Sequence, residues 1–328
     1  MPTIGVAWLV PVRVCDALAR ASTSPQERVG RKHDREKVRI RIEEDRADMM
    51  QADSREHLKR SVLNDFDTQS ARYTERYDLP GTGEVLWPRH RRLLEVVDSF
   101  GMRPGANVLD AGCGPGVLSR DLARRGYVGV GVDGAPAMIR YCAQQAVVHG
   151  IERDWKYAIS DVEALPLPDA SFDLVISAGV IEYLPGDGPF LRELSRVLRP
   201  GGRLLLCVTN RYGYSESLHS LLYRIKKIPG VTGAASSLRR LVAGGQHGVM
   251  TLSFVPRRHR PREMEPILAR HGLEFEADRF AHFTMLPSPL STLAGKLTSR
   301  FDRKLERLDG TRLRVLGSCY LTISRRSA

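Results

Sequence analysis

Between residues 107 and 210 two kinds of apolar pattern alternate. The runs NVLDAG (107–112), VGVGVD (128–133), WKYAISD (155–161), FDLVISAG (172–179) and RLLLCVTN (203–210) are short, rich in branched residues and bounded by turn residues. They read as strands. Between them, LSRDLARRG, PAMIRYCAQQAVVHG and PFLRELSRVLRPGG carry apolar residues at helical spacing and stop on glycine, as helices do. Strict alternation with short connections predicts a mostly parallel sheet covered by helices on both faces.

Before this region, VLNDFDTQSARYTERYD (62–78) places Phe66, Tyr73 and Tyr77 at roughly helical spacing, and RHRRLLEVVDSFG (89–101) continues as an amphipathic helix. Residues 1–55 differ: mixed charge is dense, aromatics are few and the apolar period is weak, so they read as a charged, flexible extension. After residue 210 the pattern is less regular. FEADRFAHF (275–283) and GSCYLTISR (317–325) read as closing strands, which brings the sheet to seven. Two amphipathic stretches, ESLHSLLYRIKKI (216–228) and LAGKLTSRFDRKLERL (293–308), read as inserted helices that form a lid. The expected organisation is thus an extension over 1–55 and one α/β domain over 56–328, with a cofactor half at 62–210 and the lid and closing strands at 211–328.

Composition narrows the class. Apolar residues make up 42% and charged residues 27%, the proportions of a soluble globular protein, and no run approaches a membrane-spanning length. The first residues lack a basic lead before Ile4 and break at Pro11, so no signal peptide is expected. Five scattered cysteines without a CxxC pair argue for a reducing compartment, the cytoplasm, and against a disulfide framework or metal site. The net charge of +12 is unevenly placed: residues 1–100 sum to +1, 101–210 to −1 and 211–328 to +12. A basic region of that kind faces a partner.

The stretch VLDAGCGPGVLSRDLARRGYVGVGVD (108–133) holds the candidate chemistry. A dinucleotide fingerprint, GxGxxG, would need a glycine at position 117, which is Val117. The spacing here is GxGxG, from Gly112, Gly114 and Gly116, with Asp110 just before it. Asp110 would repel a diphosphate and suits a ligand with a cationic group. Asp133 ends the second strand, where a carboxylate can accept both hydroxyls of a ribose, and Asp161 ends the third, where it can face an adenine amino group. Those requirements describe S-adenosylmethionine.

VLDAGCGPG, GVD, SDVEALPLPDASFDLVISAGVIEYL and RVLRPGGRLLL, in this order and spacing, resemble the successive motifs of class I S-adenosylmethionine-dependent methyltransferases, nearest the ubiquinone-biosynthesis-type small-molecule O-methyltransferases. The resemblance covers about residues 62–210 strongly and the final strands weakly. It implies a Rossmann-like fold in which Asp110, Gly112 and Gly114 line the methionine end of the cofactor, Asp133 the ribose, Asp161 and Val162 the adenine, and Ala178 closes the pocket. Where those relatives carry Glu-His, this chain has Glu182-Tyr183, so no catalytic or metal role is carried over.

The segment after the fourth strand is SAGVIEYL, not the Asn/Asp-Pro-Pro-aromatic turn of nucleic-acid amino-methylating members, so nucleic acid is not expected as a partner. The expected acceptor is a small molecule, a hydroxylated amphiphilic, lipid-linked or glycosylated metabolite methylated on oxygen. His219, His247 and His282 are candidate bases, and the basic amphipathic stretches fit peripheral contact with an anionic membrane. An RNA- or protein-directed methyltransferase, and an inactive cofactor-binding homologue, are the alternative readings.

Overall fold

The computed structural model describes residues 53–78, 86–213, 253–254, 256–283 and 304–328. The chain divides into two compact units, Met1–His57 and Leu58–Ala328. The second begins with helical residues 58–68 (α1), followed by α2 (Ser70–Asp78) and α3 (Leu86–Ser99). A turn at Gln69 splits the predicted 62–78 helix in two.

Strands and helices then alternate as β1 (Asn107–Ala111), α4 (Val117–Arg124), β2 (Val128–Asp133), α5 (Pro136–His149), β3 (Trp155–Ile159), β4 (Phe172–Ala178), α6 (Gly188–Val197) and β5 (Leu198–Thr209). After them come α7 (Pro261–Ala269), β6 (Leu273–Ala281) and β7 (Cys319–Arg326). The seven strands form one sheet in the order β3-β2-β1-β4-β5-β7-β6. Strands β1 to β5 pair in parallel, whereas β7 runs antiparallel to both β5 and β6, so the sheet is mixed.

One boundary departs from expectation. Pro200-Gly201-Gly202 was expected to close a helix, but α6 stops at Val197 and β5 already includes these residues. The pairing with β4 slips there, from Phe172↔Leu198 to Leu174↔Arg203. A Pro-Gly-Gly stretch fits such an irregularity because it lacks a side chain to pack at two consecutive positions.

Alternation along each strand builds two cores. Leu109, Val175, Leu204 and Leu206 pack on one face with Phe190 and Leu194 of α6, Phe280 and Tyr320. Val108, Leu174, Ile176 and Leu205 pack on the other with Leu93 and Val97 of α3 and Leu118 and Leu122 of α4. Strand order reverses between β1 and β4, and in sheets of this kind a crevice opens there beyond the carboxyl ends of the strands.

The predicted lid helix at 216–228, residues 293–303 of the second one, His219 and His247 lie outside the described residues. Among the described residues no helix is long and apolar enough to cross a membrane.

Candidate functional site

The crevice is built on the loop between β1 and α4. Gly112, Gly114 and Gly116 all adopt positive φ, at 79°, 51° and 69°. Each therefore sits where a side chain would strain the backbone. A Cβ on Gly112 would in addition overlap Val180 Cγ2. The turn is tied to β2 by the N–H groups of Gly112 and Cys113, which donate to the Val132 carbonyl at 2.8 and 2.9 Å.

Asp133, at the end of β2, answers from its side chain. Its Oδ2 accepts from Gly114 N at 2.9 Å and its Oδ1 from Ala135 N at 2.9 Å. Burial raises its pKa while the two N–H groups lower it. Each oxygen keeps a lone pair, and the half-buried residue still meets solvent. A carboxylate fixed by two backbone donors is pre-oriented for further donors on its outer side.

Asp110 is buried on β1, and its Oδ2 accepts from Ser119 Oγ at 2.8 Å, in the first turn of α4. Burial, against the help of Ser119 and with the added repulsion of Asp133, pushes its pKa up to about 7. This is a carboxylate short of positive charge, placed beside a second carboxylate. The pair disfavours a diphosphate and favours a cation.

Asp110, Gly112, Gly114 and Ala178 line one cleft together with Tyr73, Tyr77, Arg89 and His90. Arg89 Nη2 reaches Tyr77 Oη at 3.4 Å, and its Nη1 lies over Gly179, just past β4. His90 Nε2 meets Asp121 Oδ2 at 2.7 Å. Among the described residues no carboxylate lies within ion-pair distance of Arg89. The helices before β1 thus contribute a cation and two phenols that the sequence analysis did not assign. Their only sequence signal was the spacing of Tyr73 and Tyr77, because RHRR reads like a solvated helix face.

Edge-to-face ring contacts continue the wall. Phe66 packs on Tyr73 and on Tyr183 with centroids 5.7 and 5.1 Å apart, Tyr73 on Tyr77 at 5.9 Å, and Tyr183 on Phe254 at 5.9 Å. Tyr183 therefore belongs to an aromatic cluster that reaches the cleft through Tyr73 and Tyr77. Its neighbour Glu182 is buried, accepts from Thr209 Oγ1 at 2.7 Å, and burial raises its pKa.

Asp161 and Val162, expected to meet the adenine, stand apart from the cleft just described. Ser160 N donates to the Asp133 carbonyl at 3.0 Å, which brings the loop after β3 alongside β2. Asp161 Oδ1 accepts from Glu163 N at 2.9 Å, and its Oδ2 accepts from Lys59 Nζ of α1 at 2.8 Å. Lys59 also pairs with Glu163. The Val162 side chain packs into the core. His282 is buried just past β6, is not one of the residues that line the cleft and takes positive φ.

Helix α1 approaches the same rim elsewhere. Ala137 N, in the first turn of α5, donates to Asp67 Oδ1 at 2.6 Å, and Leu63 occupies the space that a Cβ on Gly134 would need.

Residues 109–206 match the family described as methyltransferase domain. Over 226 residues the chain is 29% identical to a ubiquinone biosynthesis O-methyltransferase of Xanthomonas axonopodis pv. citri, covering 68% of this chain and 86% of that protein. It is 37% identical over 150 residues to a ubiquinone/menaquinone biosynthesis C-methyltransferase of Hahella chejuensis, covering 44% and 58%. Magnesium protoporphyrin IX methyltransferase from Synechocystis, solved with bound SAH, has the same fold at a TM-score of 0.54 and 17% identity, covering 82% of this chain and all of that one. A putative methyltransferase of Haloferax volcanii, solved with the Trm112 activator, gives a TM-score of 0.53 at 20% identity over 81% and 98%.

Proposed function

Since this chain is a class I S-adenosylmethionine-dependent methyltransferase of small molecules, we propose that it methylates an oxygen of a hydroxylated amphiphilic, lipid-linked or glycosylated metabolite. The observation that carries the reading is the pairing of Asp110 and Asp133 around one glycine turn, beside a cleft walled by Tyr73, Tyr77 and Arg89.

When bound, the cofactor supplies an electrophilic methyl group on a sulfonium. The residues present fit it. Asp133 offers its two outward lone pairs to the ribose hydroxyls. Asp110 offers negative charge to the cationic methionine end, and Gly112 and Gly114 let the backbone come close. Arg89 is the natural partner for the methionine carboxylate. Asp161 and the Val162 backbone serve the adenine, and Ala178 closes the cleft from β4.

Methyl displacement asks mainly that acceptor and methyl be held in line, which supplies several kcal/mol. The aromatic cluster of Phe66, Tyr73, Tyr183 and Phe254, which reaches the cleft at Tyr73, suits that task for an acceptor with an apolar body. O-direction is supported by the similarity to ubiquinone biosynthesis O-methyltransferases. Carbon-13 methyl-labelled cofactor, incubated with hydroxylated amphiphiles, tests the reading. An O-methyl resonance in the product supports it, whereas a C-methyl resonance, or transfer to RNA or protein only, rejects it.

A further inference from the structure

We propose that the surface formed by Tyr212, Leu313, Val315 and Leu316 docks on the anionic interface of a lipid bilayer. The proposal rests on the amphiphilic-acceptor reading above and gives such an acceptor a source on the same edge of the sheet as the cleft.

Four large apolar side chains stand in solvent on this surface: Tyr212 is 49% exposed, Leu313 54%, Val315 43% and Leu316 39%. Residues 310–316 are exposed throughout, an unusual condition for a segment carrying three aliphatic side chains. Leu313, Val315 and Leu316 share one helical turn, Arg312–Leu316, and buried Asn210 ties that segment to Tyr212. Its Nδ2 donates to the carbonyls of Val315 and Gly317 at 2.8 and 2.7 Å, and its Oδ1 accepts from Tyr212 N at 3.0 Å. The patch is thus built on a hydrogen-bonded joint between two strands. Its place is the carboxyl edge of the parallel strands: Asn210 follows β5, and β7 begins at Cys319, opposite Thr209. The cofactor cleft opens on that same edge.

Charge selects the occupant. Glu306 and Asp309 turn to Arg91 and Arg92, and Asp278 to Arg314 at 2.8 Å. Arg211, Arg307 and Arg312 are exposed, and among the described residues none has an acidic partner. Aliphatic tips between outward arginines match a bilayer interface, where chains enter the acyl boundary and guanidinium groups stay at the phosphates. A protein partner is disfavoured by size, because an ordinary interface takes about 20–30 residues a side.

The test uses the full chain and sedimentation with vesicles of one part phosphatidylglycerol to two parts phosphatidylcholine. Binding is expected to these vesicles, to fall with added salt, and to be weak on phosphatidylcholine alone. Replacing Leu313, Val315 and Leu316 together by serine lowers it at least fivefold while cofactor affinity, measured by calorimetry, is unchanged. Arg307→Gln with Arg312→Gln lowers it and flattens its salt dependence, and this pair carries the test should the triple variant lose cofactor binding. Equal binding to both vesicle types, no binding, or no effect of the arginine pair overturns the proposal, as does a patch variant that changes only the mass of the protein in solution. Transfer to a short-chain, water-soluble hydroxylated acceptor separates the two readings. Vesicle binding without methylation of any amphiphile would reject the acceptor class and leave the docking surface standing.

Discussion

Lys59 Nζ donates to Asp161 Oδ2 at 2.8 Å, joining the helix before the domain's first strand to the loop after its third. Both groups are partly exposed, at 25% and 49% of the side chain, so the pair is worth about 0.5 kcal/mol. Its importance is positional: Lys59 holds the carboxylate oxygen that we assign to the adenine amino group. Removing it by Lys59→Ala should therefore raise S-adenosylmethionine affinity about twofold, which is what about 0.4 kcal/mol amounts to. Calorimetry showing a marked loss instead would mean that Lys59 shapes the adenine side of the site.

Besides the ribose role we propose for it, Asp133 holds the turn, because Gly114 N and Ala135 N both donate to it. Asp133→Ala should lower cofactor affinity at least tenfold, about 1.4 kcal/mol. Asp133→Asn should be no milder, since its amide group would turn a donor toward one of the two N–H groups. An asparagine variant that binds cofactor normally would refute the assignment.

The loop geometry predicts a specific epistasis. Gly112→Ala meets both a positive φ of 79° and Val180 Cγ2. Backbone strain of this type costs about 1–3 kcal/mol before the overlap is counted. Adding Val180→Ala should recover the steric part only, so the double variant should melt above Gly112→Ala and below the parent. Full recovery would show that the backbone is not strained there.

Asp110 makes the site pH-sensitive. Burial holds its pKa at about 7, against about 3.9 in an unfolded chain. Between those values the folded chain binds the extra proton, so this residue lowers stability as pH rises through that window. A cation bound beside it favours the ionised form, so cofactor binding should release a proton near neutral pH. Affinity should rise by up to about tenfold between pH 6 and pH 8, following the ionised fraction of a group with pKa about 7. Asp110→Asn should remove the proton release, measured by calorimetry in buffers of different ionisation enthalpy. A proton release that survives in this variant would place the titration elsewhere.

The sequence by itself determined the strands and the glycine turn, because both are local. A strand such as LLLCV is buried on two faces and must be apolar at every position, and a turn with three positive φ values must be written in glycine. Asp110 and Ala178 sit at or beside strand ends, so fixing the strands placed them at the crevice as well, and Asp133 at the end of β2 holds its turn. The antiparallel course of β7 was not legible, since apolar alternation carries no direction. Nor was the role of the helices before β1. Arg89 comes from an amphipathic segment and Lys59 from a densely charged stretch of weak apolar period, in both of which a charge reads as solvated, and only packing decides which charged side chain turns inward. The same limit held for Asp161: its place in the chain put it just past the third strand, but that Lys59, 102 positions earlier, would hold its oxygen is a long-range contact that no periodicity encodes.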